Sequence, residues 1–187
     1  PNRGDRIRAF HMLREMSRTA EVRLVSLAHD AIEADATDAL REMGIRVWAA
    51  RVPKVPNAIR ALASLGTSQP LTHVLLDSPH LADAIASATE DWQPDAVFVY
   101  CTGIAPTALA PPLPNVPRVI DFVDVDSMKW ASLGARSRPP RSWIFRREAI
   151  CLAAFEATAA ASAQVNIVVN ERERDALLRI CPSASVV

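Results

Sequence analysis

Asp95-Ala96-Val97-Phe98-Val99-Tyr100 decides the fold class. The run is almost continuously apolar and does not alternate. That is the signature of a strand buried on both faces of a parallel sheet. Downstream, Arg118-Val119-Ile120-Asp121-Phe122 and Val165-Asn166-Ile167-Val168-Val169 read as two further strands. Upstream, Val22-Arg23-Leu24-Val25-Ser26-Leu27 and Ile45-Arg46-Val47-Trp48 read as two more. Helical stretches lie between them. Ile7, Phe10, Leu13 and Met16 recur at helical spacing, with Asp5 as a cap or first-turn acid. Ala36, Ala39, Leu40 and Met43 mark a short helix, closed by Gly44 at a C′ position. Short helices are expected near residues 57–65 and 79–90, and the longest at 142–162, with Ile144, Ile150, Ala153 and Ala157 facing inward. Asn170, with Glu173 three residues on, resembles a capping box opening a last helix that runs to about Ile180. Ala110-Pro111-Pro112-Leu113-Pro114 reads as a loop. Strands alternating with helices predict an α/β fold with a mostly parallel sheet and helices on both faces.

Composition agrees. The chain has 187 residues, 50% hydrophobic and 22% charged, with a formal net charge of zero. This is the balance of a globular core, and it argues against a dedicated nucleic-acid binder. No apolar run reaches the roughly 18–20 residues of a membrane span. Cys101, Cys151 and Cys181 are scattered and odd in number, which fits a reducing compartment better than a disulfide framework. The four histidines do not fall at metal-ligand spacing.

The ends carry an expectation of their own. Pro1-Asn2-Arg3-Gly4 reads as the loop between a first strand and a first helix, so a strand is expected ahead of Pro1. Ser185-Val186-Val187 reads as a strand begun and not finished, so more chain is expected beyond it.

Four segments can carry chemistry. Arg3-Gly4-Asp5-Arg6 sits at a strand-to-helix turn, where a glycine admits a ligand to backbone N–H groups and a helix N-terminus favours anions. Taken alone, an ordinary turn with a capping Asp is the simpler explanation. Asp121-Phe122-Val123-Asp124-Val125-Asp126-Ser127-Met128-Lys129-Trp130 follows a parallel strand, at the end where open α/β sheets bind ligands. Its three carboxylates repel one another unless a cation, donors or solvent relieve them. Asp124 and Asp126 can hold a divalent ion as a DxD pair, hydrogen-bond sugar hydroxyls, or serve as a base. Asp126 or Ser127 can instead cap a helix. Thr102 and Gly103, after the Tyr100 strand, can line the same crevice or simply make a turn. Arg136, Arg138, Arg141, Arg146 and Arg147, interleaved with Trp143 and Phe145, suit either an anionic membrane surface or a solvated loop.

These residues carry a resemblance. Pro1 to Arg8 with its helix, Val119 to Trp130, and Arg146-Arg147-Glu148 through Phe155-Glu156 to Val168-Val169-Asn170-Glu171 resemble the N-terminal domain of family 4 GT-B glycosyltransferases. More narrowly, they look like the sugar transferases of PEP-CTERM/exosortase exopolysaccharide systems. The middle segment is the most specific. The resemblance implies one Rossmann-like half of a two-domain enzyme that transfers sugar with retention of configuration. It implies a carbohydrate or lipid-linked acceptor bound here, and a nucleotide-sugar donor held mainly by a second domain. No metal and no further cofactor are implied in this half, and the DxD reading is demoted. Peripheral contact with the inner face of the membrane, in the cytoplasm, is a further expectation. Asp124 and Asp126 are the expected catalytic residues. Arg3, Gly4, Asp5, Arg6, Thr102, Gly103, Asp121, Ser127 and Lys129 are expected to bind substrate or phosphate. Many relatives carry a histidine after the strand that ends here at Asp121, so its role does not transfer. A non-catalytic α/β module that binds sugars or partners is the competing expectation.

Overall fold

The computed structural model describes residues 4–30, 37–111, 113 and 115–187, with residues 4–6 as backbone only. Arg3 of the first candidate site, Ala36 of the expected short helix, and Pro112 and Pro114 of the expected loop lie outside the described residues. The chain divides into two compact units.

The first unit comprises the described residues up to Lys54 together with Asp77–Gln93. It holds helix α1 (Gly4–Met16), strand β1 (Arg23–Ala28), helix α2 (Asp38–Glu42), strand β2 (Arg46–Arg51) and helix α5 (Leu81–Thr89). β1 and β2 pair in parallel, Arg23 opposite Arg46 and Ala28 opposite Arg51. α5 packs on both strands through Leu81, Ile85 and Ala88, which recur at helical spacing and are buried. α2 ends as its glycine predicts. Gly44 has φ +77°, its N–H reaches Arg41 O, and Ile45 N reaches Leu40 O. This is the Schellman arrangement that satisfies the last helical carbonyls. Arg23 is almost completely buried. Its guanidinium reaches Ala88 O at 2.8 Å and Asp91, and stacks on Trp92 at 4.7 Å.

The second unit comprises Val55–Leu76 and Pro94–Val187. Helix α3 (Lys54–Ala63) leads through a short 3-10 turn (Ser64–Gly66) to helix α4 (Leu71–Leu76). Strand β3 (Val97–Tyr100), helix α6 (Ala105–Ala108), strand β4 (Arg118–Val123), helix α7 (Asp126–Arg136), helix α8 (Arg141–Ser162), strand β5 (Val165–Val168) and helix α9 (Glu171–Ile180) follow. The sheet runs β3-β4-β5, all parallel. Val186 bridges Asn166 in parallel, so the chain after Ser185 lies along β5 as its residues suggest. Val99, Ile120, Phe122, Leu177 and several alanines fill the core, which lets helices approach closely. α7 and α8 form a tight pair. A Cβ at Gly134 would stand 2.9 Å from Arg146 Cγ and 3.2 Å from Arg146 N, so glycine sets that approach.

Several expectations are corrected here. α4 is a helix that the sequence pattern did not reveal, and α7 was expected only as a helix that Asp126 or Ser127 could cap. Asp126 and Ser127 do not cap α7; its N-cap is Val125, with no side-chain cap bond. Of the residues expected to face inward on α8, Ile150 does not, whereas Ile144, Ala153 and Ala157 are partly buried, Ala157 against the core. Ile150 is 71% exposed, while Glu148, Ala149, Leu152, Glu156 and Ala159 are buried. Two glutamates stand on the core stripe, where a search for apolar residues alone does not look. The capping box is half formed. Asn170 Oδ1 accepts from Glu173 N at 3.0 Å, but the Glu173 carboxylate turns away to Val125 N at 2.7 Å. Asn170→Ala is therefore expected to cost about 1 kcal/mol, read as a lower urea midpoint.

Candidate functional site

The candidate site is built at the carboxyl ends of β3 and β4. Tyr100 pairs with Asp121, which brings the two strand ends side by side. Just beyond them stand Cys101 with φ +66° and Val123 with φ +59°. Among the described residues these are the two non-glycine residues with positive φ. A β-branched residue there is strained, at roughly 1–3 kcal/mol, and such strain collects at ligand sites. Asp124 N reaches back to Phe122 O at 2.6 Å, closing a three-residue turn on Val123. Asp121 supports the turn: its carboxyl is fully buried, and Oδ1 accepts from Val123 N at 2.9 Å. The pairing with β5 also slips between Asp121 and Val123, so the strand bulges where it enters the site.

The three aspartates thus part into different environments. Asp121 is inside the sheet. Asp124 is exposed. Asp126, partly buried, opens α7, where Thr102 Oγ1 donates to its Oδ2 at 3.2 Å and Lys129 Nζ stands 3.8 Å from Oδ1. Burial pushes the Asp126 carboxyl above its ordinary range, while Lys129 and Thr102 pull it back.

Behind this layer, Glu156 of α8 is fully buried and accepts from Ser127 N at 3.2 Å. Its second oxygen has no partner among the described residues. Burial, with Asp126 nearby, raises its pKa to about 7, against the hydrogen bonds from Ser127. Glu148, two turns earlier on the same face, accepts Leu71 N and Thr72 N at 2.8 Å each. His73 lies edge-on to Phe155 at 4.3 Å, and burial lowers its pKa despite the charge of Glu148.

A groove of about 310 Å³ opens beside the turn, lined by Asp124, Met128, Lys129, Ser132, Arg172 and Glu173 among others. A larger depression on the first unit, about 500 Å³ along β2 from Arg41 to Trp48, has no carboxylate in its lining.

The structure brings Thr102, Asp126 and Lys129 into contact and places Asp124 on the groove. Thr102, Asp121 and Ser127 are buried, and Gly103 is half-buried against Leu76. Gly4, Asp5 and Arg6 begin α1 in the first unit, described as backbone only, and Arg3 lies outside the described residues. The basic-aromatic segment resolves into two roles. Arg147 is nearly buried and binds the carbonyls of Ser64, Thr67 and Gln69, so it holds a loop. Phe145 packs on Trp130 at 5.2 Å, whereas Trp143 is exposed. Glu148, Glu156 and Glu173 were read from sequence only as part of the resembling segment or of a cap, not as site residues. The available signal was two acids eight residues apart on an alanine-rich helix, which share a face.

Among the described residues, no three His, Cys, Asp or Glu side chains gather as a metal site, and no helix is long and apolar enough to cross a membrane. The class of protein is a Rossmann-like α/β fold. Comparison with protein-family models, curated proteins and solved structures finds no match.

Proposed function

We propose that this chain supplies the acceptor-binding part of a retaining glycosyltransferase. It would take sugar from a nucleotide-sugar to a carbohydrate or lipid-linked acceptor of a surface polysaccharide. The observation that carries the reading is the strained, bulged exit of β4, which presents Asp124 to an open groove beside the Thr102–Asp126–Lys129 contact. In this reading Asp124 accepts a hydrogen bond from an acceptor hydroxyl, and Lys129 and Arg172 face the acceptor's anionic groups. The hydroxyl oxygen bonds to the anomeric carbon, the bond from that carbon to the nucleoside diphosphate breaks, and the hydroxyl proton passes to a carboxylate. Burial pushes the Asp126 carboxyl above its ordinary range, and it stands against the groove-lining Lys129, which suits that last role.

The test is glycan binding, followed by saturation-transfer NMR on the 187-residue chain with a panel of bacterial polysaccharide repeat units. Asp124→Ala is expected to weaken the bound glycan about tenfold, the loss of one hydrogen bond made to a charged group. No binding by any glycan, or equal binding by the variant, would overturn the reading. A second reading, a sugar-binding module without catalysis, draws support from Asp121 and Glu156, whose carboxylates are engaged with backbone. Asp126→Asn separates the two. The transferase reading expects the whole gene product to lose transfer while keeping glycan binding.

A further inference from the structure

The strained turn after β4 is held from two sides. Residues 123, 124 and 125 carry three consecutive backbone N–H groups, and each has an acceptor. Val123 N donates to Asp121 Oδ1 at 2.9 Å, Asp124 N to Phe122 O at 2.6 Å, and Val125 N to Glu173 Oε2 at 2.7 Å. The first two acceptors belong to β4 itself. The third comes from α9, 48 residues further along the chain. A valine at φ +59° does not stay there by local preference, because its branched side chain disfavours that region. Such a conformation persists only where the surroundings over-determine it.

Glu173 gives up a local partner to reach the turn. Three residues after Asn170, it stands where a capping-box glutamate would bond back to the Asn170 N–H. Asn170 Oδ1 accepts from Glu173 N at 3.0 Å, which pins the residue's backbone. Its carboxylate forgoes the return bond and crosses to Val125 instead. A carboxylate on a backbone N–H at that distance makes a strong, charge-assisted bond. Ala176 and Leu177 bury one side of α9 in the core, so the carboxylate acts from a rigid base. Val125 is itself buried and is the N-cap of α7. The one bond therefore fixes the backbone between Asp124, exposed on the groove, and Asp126, which opens α7.

We propose that Glu173 is a positioning residue: by holding Val125 N it keeps Val123 at positive φ and aims the Asp124 carboxylate into the groove. Its effect on acceptor binding rests on the reading of that groove as an acceptor site; its effect on the turn does not. Glu173 also lines the groove, beside Lys129 and Arg172. A contact of its own with the ligand, or a simple charge effect on those cations, predicts a different pattern among the variants.

The experiment uses the 187-residue chain and two readouts. The first needs no glycan: the intraresidue NOE between the N–H and Hα protons of Val123 is strong only at positive φ. It is expected in the wild type, to weaken in Glu173→Ala, and to survive in Glu173→Gln, whose amide oxygen still accepts from Val125 N. The second is a double-mutant cycle with Asp124→Ala on glycan binding, read by saturation-transfer NMR with the same panel of repeat units. Glu173→Ala is expected to weaken binding by up to the roughly tenfold of Asp124→Ala, and by less than about twofold once Asp124 is alanine. Glu173→Gln is expected to lie close to wild type in both readouts. Asn170 still caps α9 in these variants, and circular dichroism spectra are recorded alongside. A wild-type NOE in Glu173→Ala overturns the proposal. So does an equal loss of binding with and without Asp124, or an equal loss in Glu173→Gln and Glu173→Ala. If the wild type binds no glycan, the acceptor reading falls and the NOE alone decides the clamp.

Discussion

Glu156→Gln is expected to stabilise the second unit at pH 8 and to leave it nearly unchanged near pH 5. The carboxyl titrates at about 7 in the fold and at 4.5 when exposed, because burial penalises its charged form. Between those values the folded state holds the extra proton, so stability falls as pH rises through the window. Above pH 7 the ionised, buried carboxylate costs on the order of 3 kcal/mol relative to its protonated form. Glutamine stays neutral and keeps an acceptor for Ser127 N. Urea unfolding of both proteins across pH 5 to 8 reads the difference. His73 works in the opposite sense, since its lowered pKa means stability is lost as pH falls below its ordinary value of 6.5. Subtracting variant from wild type at each pH removes that contribution. A difference that does not grow between pH 5 and 8 would show that Glu156 titrates normally.

Glu148→Ala is expected to cost about 3–5 kcal/mol, the loss that follows breaking a buried ionic pair. Both carboxylate oxygens are used: one takes Thr72 N, the other Leu71 N and Arg147 Nη1 at 3.1 Å. Alanine would leave the first N–H groups of α4 and a nearly buried guanidinium without their anion. Arg147 would keep its three carbonyls, so the loop should loosen at its α4 end first. Hydrogen exchange at Leu71 and Thr72 should therefore accelerate together with the fall in urea midpoint. Wild-type exchange at those two amides would refute the clamp. Glu148→Gln should fall between, because its amide NH₂ meets two N–H donors.

How much of this was legible depended on residue chemistry. The runs at Val97–Tyr100 and Arg118–Val123 were readable because buried parallel strands are apolar on both faces. Gly44 was readable because only a positive φ needs it. The Asp121–Asp126 cluster was readable as a concentration of carboxylates at the end of a strand, but the separate environments of its members were not. Which aspartate staples a turn, which meets Thr102 and which faces solvent follow from a bulge and a three-residue turn. The extent of α7 was not read because Asp126 to Arg136 mixes charges, Trp130 and Gly134, and the glycine makes sense only beside Arg146 of α8. The outward stripe of α3, exposed at Val55, Ile59 and Leu62, was invisible for a related reason: an amphipathic sequence says that a helix has two faces, not which one the protein covers.

By itself the sequence determined the class of fold and the order of its main strands along the chain. Those follow from local periodicity and from residues with few permitted conformations. Tertiary structure alone decided the rest. It sank Glu156 until its carboxyl titrates near 7, bound Glu148 to the start of α4, and left Val55, Ile59 and Leu62 in the open. The physical reason is that burial and partnership are properties of what packs against a side chain, and the packing partners come from positions far along the chain.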